Sequence, residues 1–285
     1  MLPYLTGDDL FAYLLLLRDV DKRTVLLLEG PDDCAALDVH LDDAECQSLP
    51  GYGKKTVLGA IALVESQEMP RVVAILDSDL ESPEEEIPAQ PSIIYTDYYD
   101  LDATIYFSGT AFHRVVSNFA DKEKTKAYLA QRNATSLLDL GARIAGAIGQ
   151  MRQLSINSGR HIPLRELPLA KVLNVDSLEI DARRLAQVIH SKTHRLNLEE
   201  VENLIARALM PIDIRLQQKR SSGHDLTAVL SYILRDRCGA KIGQATLSRA
   251  LRASWSCAEL ARTRMYTAVA NWSHVNNTKV WSCPN

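Results

Sequence analysis

The chain has 285 residues, 46% hydrophobic and 24% charged, which is the balance of a globular protein with a core of useful size and excludes a disordered or fibrous chain. Its aliphatic strings are far shorter than the roughly 20 residues that cross a bilayer; Leu14-Leu15-Leu16-Leu17, for example, stops at Arg18. The net charge of −4 conceals an asymmetry, since residues 1–140 hold 11 Lys+Arg against 25 Asp+Glu and residues 141–285 hold 21 against 11.

In chain order, the spacing predicts a short amphipathic helix over 8–18 and a strand over 24–28, the run Thr24-Val25-Leu26-Leu27-Leu28. Pro31 opens a helix that runs to about 41, because proline is tolerated in a helix's first turn. A short strand at 46–49 leads to the loop Gly51-Tyr52-Gly53-Lys54-Lys55 and a helix over 56–66. Strands follow at 71–76 and 92–96, separated by an acidic surface loop at 81–91 that contains Pro83, Pro88 and Pro91. This βαβαβ rhythm implies an α/β fold with a mostly parallel sheet and right-handed crossovers. Beyond Asp102 helical patterns dominate, at 110–119, 122–132, 136–154, 182–191, 198–209, 225–237, 243–253 and 256–272. Residues 157–175 read as irregular, and 213–217 alternates like a short strand. The expected division is an N-terminal helix at 1–22, an α/β domain at 23–135 and a mainly helical domain at 136–285.

The five cysteines (Cys34, Cys46, Cys238, Cys257, Cys283) are odd in number, scattered and without CxxC spacing. Neither a zinc knuckle nor a disulfide framework is expected from them. With no basic, signal-like N-terminus, a reduced cytoplasmic protein is expected.

The placement of acids is the strongest chemical signal. Glu29-Gly30-Pro31-Asp32-Asp33 follows the first strand at once, and Asp77-Ser78-Asp79 follows the strand at 71–76. If these strands are parallel neighbours, both acidic groups emerge at the sheet edge where α/β proteins bind ligands. Crowded carboxylates cannot all stay ionised without an offsetting charge, and Mg²⁺, which prefers a few carboxylates and its own waters, is the natural candidate. Extended backbone would aim Asp77 and Asp79 to the same side.

A Glu after the first strand and an Asp-x-Asp after a later one, here Glu29 with Asp77 and Asp79, resemble the Toprim (topoisomerase–primase) fold. Gly51-Tyr52-Gly53-Lys54-Lys55 and Tyr98-Tyr99-Asp100-Leu101-Asp102 extend the likeness to Toprim nucleases of bacterial anti-phage defence: the OLD family and, more closely, the Toprim effector of PARIS systems. The likeness is strongest over 24–107, and the helical remainder, including Gly223-His224-Asp225-Leu226, is compatible with it. It implies a Mg²⁺-dependent (alternatively Mn²⁺-dependent) nuclease. That nuclease would be a toxic effector held inactive by an ABC-type ATPase partner and released to dimerise and cut nucleic acid, tRNA before DNA. The chain has no Gly-x-x-x-x-Gly-Lys-[Ser/Thr] loop of its own, so the ATPase would be a separate protein.

The resemblance implies roles residue by residue. Glu29, Asp77 and Asp79 would carry catalysis and hold metal, with Glu29 reaching a second cation or activating water. Asp33 would hold a metal-bound water, or serve only the dipole of the following helix. Asp102 would be a ligand, although Asp97 and Asp100 share its cluster and the related proteins often carry Glu there. Lys54 or Lys55 would neutralise the scissile phosphate. In the basic half, Lys219 and Arg220, with Arg262 and Arg264, are candidate phosphate contacts. Trp255, Tyr266 and Trp272 stack bases or fill the core. Asp225 reads as a helix N-cap, and His224 as a base or RNA contact. Two other readings compete: a phosphatase with Asp77 as nucleophile, in which Glu81 stands where Thr or Val belongs, and a non-catalytic Toprim-like scaffold.

Overall fold

Thr24–Leu28 is buried at every position, and so is Val72–Leu76. Strands without an exposed face need apolar layers on both sides, which is the setting of a parallel sheet between helices. The computed structural model of the chain describes residues 6–80, 92–159, 162, 164, 167–174, 177, 179–192 and 197–283; the acidic proline segment expected at 81–91 lies outside them.

The elements begin with α1 (Gly7–Val20), β1 (Thr24–Leu28), α2 (Pro31–Leu37) with a 3₁₀ turn at Asp38–His40, β2 (Cys46–Pro50), α3 (Lys54–Ser66), β3 (Val72–Leu76) and β4 (Ile93–Tyr95). Helices α4 (Leu101–Phe107), α5 (Ala111–Phe119), α6 (Lys122–Gln131), α7 (Leu137–Asn157) and α8 (Leu169–Val172) come next. A minimal hairpin, β5 (Leu173–Asn174) and β6 (Glu179–Ile180), leads to α9 (Ala182–Lys192), α10 (Leu198–Ala208), α11 (Ile214–Arg220), α12 (Gly223–Arg237), α13 (Gln244–Ser254), α14 (Cys257–Leu260) and α15 (Arg264–Val275).

The first four strands form one sheet in the order β2-β1-β3-β4, all parallel. Val25 pairs with Val72, Leu26 with Val73 and Leu27 with Ala74. After β2 the chain crosses back over β1 to reach β3, so strand order reverses between β1 and β3. Carboxyl ends at such a switch point flank the usual ligand crevice. Leu10 and Leu14 of α1 and Val57, Ala60, Ile61 and Val64 of α3 cover one face, packing on Val25, Leu27, Val72, Ala74 and Leu76. These are alternate strand residues, as the period of two requires.

By contacts the chain divides into two units, Met1–Leu101 with Trp255–Asn285, and Asp102–Ser254. The division expected at 135/136 therefore falls elsewhere: the sheet unit ends at Leu101, and the last thirty or so residues return to it. The charge asymmetry follows the units. The first holds 9 Lys+Arg against 22 Asp+Glu, and the second 23 against 14.

Within the second unit α7 is the central helix, lined by buried Leu140, Ile144, Ile148 and Met151. Residues 213–217, expected as a strand, belong to helix α11. Asp213 caps it, accepting from the Arg215 N–H at 2.8 Å. The alternation of Ile214 and Leu216 misled because both are exposed; the packing is made by backbone instead. A Cβ at Gly146 would stand 2.8 Å from Gln217 O, and one at Gly149 only 2.0 Å from Arg220 O, so these two glycines let α11 lie directly on α7. The cap of α12 is Ser222, whose Oγ accepts from the Asp225 N–H at 3.2 Å, and not Asp225 as expected. Asp225 is buried and faces Arg152 Nη1 at 2.5 Å. Among the described residues no helix is long and apolar enough to cross a membrane.

Candidate active site

β1 and β3 are adjacent and parallel, so Glu29 and Asp77, each the first residue past its strand, emerge side by side. The Asp77 backbone N–H donates to Glu29 Oε1 at 2.9 Å. Forty-eight positions of sequence thus close into one contact, between the Glu29 carboxylate and the Asp77 backbone. Asp77 Oδ1 accepts from the Leu101 N–H at 3.2 Å, at the first residue of α4.

Asp79 reaches the same edge differently from what alternation suggested. The strand ends at Leu76, and Asp79 takes φ 51, outside extended backbone, with its N–H donating to Tyr99 O at 2.7 Å. Ser78 is buried beneath this turn and donates twice to Thr96: its N–H to Oγ1 at 3.0 Å, and its hydroxyl to the backbone oxygen. Asp79 Oδ2 faces Lys54 Nζ at 2.8 Å, and the same ammonium donates to Asp77 O at 2.9 Å. Lys54 is the first residue of α3 rather than a loop residue. It follows Gly53, whose φ of 131 is open to glycine and strained for L side chains. Of the two lysines expected as alternatives, Lys54 is the one whose Nζ these contacts place at Asp77 and Asp79.

Asp33 Oδ2 accepts from the Gly30 N–H at 2.8 Å, closing the first turn of α2, so the capping role is realised. Its charge still acts on the site. The Asp77 carboxyl is pushed up to about 10, first by burial and then by the charges of Asp100, Glu29, Asp33 and Asp79. Burial likewise raises Glu29 above the usual carboxylate range, against the Asp77 N–H bond that favours its anion, while the charge of Asp79 raises it further.

Asp100 is the acid that sequence reasoning left undecided. Of the cluster at 97–102, it is the one whose charge acts on Asp77. Asp97 meets the first turn of α15, whose cap is Thr263, by accepting from the Arg264 and Met265 N–H groups at 2.8 and 2.9 Å. The expectation for Asp102 is revised. It opens the second unit, where Arg252 holds it in a bidentate pair, Nε to Oδ1 and Nη2 to Oδ2, both at 2.7 Å. The signal that could have separated the three was the helix start at Leu101, which puts Asp100 just before α4 and Asp102 inside it.

The basic candidates are divided between the two units. Lys219 and Arg220 end α11, with Arg220 partly buried and its guanidinium lowered by that burial. Arg262 and Arg264 are exposed in the first unit, and Arg264 Nε lies 3.7 Å from Asp97 Oδ1. Trp255, Tyr266 and Trp272 are 3%, 4% and 9% exposed, which makes them core residues rather than stacking platforms. His224 is exposed, with Nδ1 3.7 Å from Asp225 Oδ1.

Chemically, the edge offers only oxygen donors and an excess of negative charge, the preference of a hard cation. Among the described residues no three of these carboxylates bring ligand atoms within 4.8 Å of one another; the group that does is His40, Cys257 and Cys283. Among the described residues the edge thus brings its carboxylates near one another without closing them into an all-protein cage. Cys257 and Cys283 are joined as a disulfide, against the expectation of five separate thiols; their sequence separation of 26 gave no motif. The chain matches no protein-family model and no curated protein sequence.

Proposed function

We propose that the chain is a Mg²⁺-dependent nuclease of the Toprim type. In this reading it is the toxic effector of a cytoplasmic anti-phage defence system, silenced by a separate ABC-type ATPase and released on infection to act as a homodimer. Its substrate is nucleic acid, tRNA first and DNA second. The observation that carries the reading is the 2.9 Å bond between the Asp77 N–H and Glu29 Oε1, at the point where strand order reverses.

Asp77, Asp79 and Asp100, with Glu29, are the residues that would hold the ion. When bound, Mg²⁺ stabilises the negative charge that builds up on phosphorus and the leaving oxygen. Glu29, raised by burial and by the charge of Asp79, is suited to take a proton from an attacking water. Lys54 Nζ, held at the edge by Asp79 and by Asp77 O, is suited to meet a phosphate oxygen and neutralise it. The Asp33 bond to Gly30 fixes the turn on which Glu29 stands. The second unit carries the excess of Lys+Arg, which suits attraction of a polyanion.

A phosphatase using Asp77 as nucleophile fits less well, because Glu81 stands where that pattern has Thr or Val and the reading leaves Glu29 without a role. The test is incubation of the purified chain, free of any partner, with total tRNA and with plasmid, in Mg²⁺, in Mn²⁺ and in chelator. Metal-dependent cleavage is expected. Its absence on both substrates would favour the non-catalytic scaffold, and a trapped aspartyl-phosphate would favour the phosphatase.

A further inference from the structure

Three side chains with no part in the acidic edge meet elsewhere in the first unit. His40 ends the 3₁₀ turn after α2, Cys257 opens α14, and Cys283 lies in the tail beyond α15. His40 Nδ1 stands 3.6 Å from Cys257 Sγ and 3.5 Å from Cys283 Sγ. One ligand atom from each of the three lies within 4.8 Å of the others.

The imidazole is sealed in. His40 is 3% exposed and Cys283 6%, and the ring stands edge-to-face with Trp255 at 5.6 Å. Its Nε2 has no hydrogen-bond partner among the described residues. A buried imidazole left so poorly served, with its other nitrogen turned toward two sulfurs, is a costly arrangement unless the nitrogen and sulfurs have a common partner.

The backbone holds His40 and the Cys283 tail together without help from the sulfurs, and the Trp255 ring, two residues before Cys257, packs on His40. Ser282 N–H donates to His40 O at 2.9 Å, and Asp42 N–H to Val280 O at 2.9 Å. Leu41 bridges Trp281, and Tyr266 Oη donates to Cys283 O at 3.1 Å. Opening the Cys257–Cys283 bond would therefore leave the Cys283 thiol beside His40, with Cys257 kept near by the Trp255 contact.

We propose that His40 Nδ1, Cys257 Sγ and Cys283 Sγ form a Zn²⁺ site in the reduced protein, with water in the fourth position, and that the disulfide is its oxidised, metal-free form. The donor set decides the metal: two thiolates and an imidazole suit Zn²⁺ and repel a hard ion such as Mg²⁺. The first unit would thus carry two chemically separate cation sites, one of oxygen donors and one of sulfur and nitrogen. Conversion needs a dithiol reductant. Two electrons enter the Cys257–Cys283 bond, the S–S bond breaks, two thiols form and the reductant leaves as its own disulfide. Zn²⁺ then displaces the two thiol protons to solvent. The bound ion would clasp the tail at 280–283 to the segment at 40–42.

The test uses the full chain, reduced with dithiothreitol, desalted without oxygen and titrated with Co²⁺ and then Zn²⁺. One equivalent per chain is expected, with a thiolate-to-cobalt charge-transfer band that Zn²⁺ abolishes. The band should be absent from the oxidised chain and from a Cys257→Ser/Cys283→Ser variant. His40→Asn should weaken Zn²⁺ by at least about tenfold, on the scale of losing one of three protein ligands. Because a variant can fail to fold, the wild type is also alkylated and mapped by mass spectrometry. Zn²⁺, but not Mg²⁺, should shield Cys257 and Cys283. Zinc content no higher than that of the double-serine variant, or alkylation of Cys257 and Cys283 unchanged by Zn²⁺, would overturn the proposal.

Discussion

Glu29 Oε1 accepts the backbone N–H of Asp77 at 2.9 Å, so the acid that ends β1 also fixes the turn that ends β3. One carboxylate thereby ties together two strand ends and stands beside the charge of Asp79.

Asp77 should destabilise the metal-free protein. Its folded-state carboxyl lies at about 10 against an ordinary 3.8. For a raised group the stabilising contribution is complete below the unfolded value and is lost as pH rises through the folded one, here from about 4 to about 10. In chelator at pH 8, Asp77→Asn should melt on the order of 5 °C above wild type, and the gap should shrink at pH 5. Saturating Mg²⁺ should raise wild type and leave the variant nearly unmoved. Thermal melts at both pH values, with and without Mg²⁺, provide the check; a variant that melts below wild type in chelator would count against the buried acid cluster.

Asp100 and Asp102 should differ in kind. Calorimetry should find Mg²⁺ binding weakened by Asp100→Asn and unchanged by Asp102→Asn. Denaturant unfolding should show the reverse, because Asp102→Asn breaks the bidentate pair with Arg252, whose side chains are 17% and 15% exposed. Leaving that guanidinium without its anion should cost about 1–3 kcal/mol. Equal effects of the two substitutions on Mg²⁺ would restore Asp102 as a ligand.

Lys54 and Lys55 should separate as cleanly. Lys54→Met releases Asp79 from its 2.8 Å partner, so Mg²⁺ should bind several-fold more tightly while cleavage falls by about 10²-fold or more. Lys55→Met should change neither. Titration calorimetry beside a cleavage assay measures both, and an active Lys54→Met protein would remove the lysine from the chemistry.

Asp225 should be structural. Burial raises its carboxyl, but the His224 bond, the Arg152 charge and hydrogen bond and the Ser222 bond outweigh it and hold it below the usual range. A depressed group contributes stability above its unfolded value that is lost as pH falls through the folded one, so acid unfolding should be less steep in Asp225→Asn. Asp225→Ala should cost about 3 kcal/mol by removing the anion that faces Arg152, whereas His224→Ala, at an exposed side chain, should cost at most about 1 kcal/mol in urea unfolding. A large loss of activity in a stable His224→Ala protein would reassign that histidine.

The elements that hold the site were legible where one physical signal dominated. The runs Thr24–Leu28 and Val72–Leu76 are apolar at nearly every position, and turn residues close them, so strand type and ends were readable. The βαβαβ rhythm implied a parallel sheet, while the adjacency of these two strands was a condition that the order β2-β1-β3-β4 meets. What stayed hidden depends on contacts distant in sequence. The α11 helix is held by backbone lying on Gly146 and Gly149, a signal that resides in α7 and not in 214–220. Asp79 leaves extended backbone because its N–H finds Tyr99 O. That Asp100 acts on Asp77 while Asp102 pairs with Arg252 turns on where α4 begins. Cys257 and Cys283 meet His40 only once the tail has folded back onto the 3₁₀ turn.

The most direct measurement compares wild type with Glu29→Gln on tRNA in Mg²⁺. Glutamine keeps an oxygen for the Asp77 N–H but loses the charge and the proton-accepting group, so melting should stay within about 2 °C while cleavage falls at least about 10²-fold. A correctly folded Glu29→Gln protein that cuts at the wild-type rate would contradict the account.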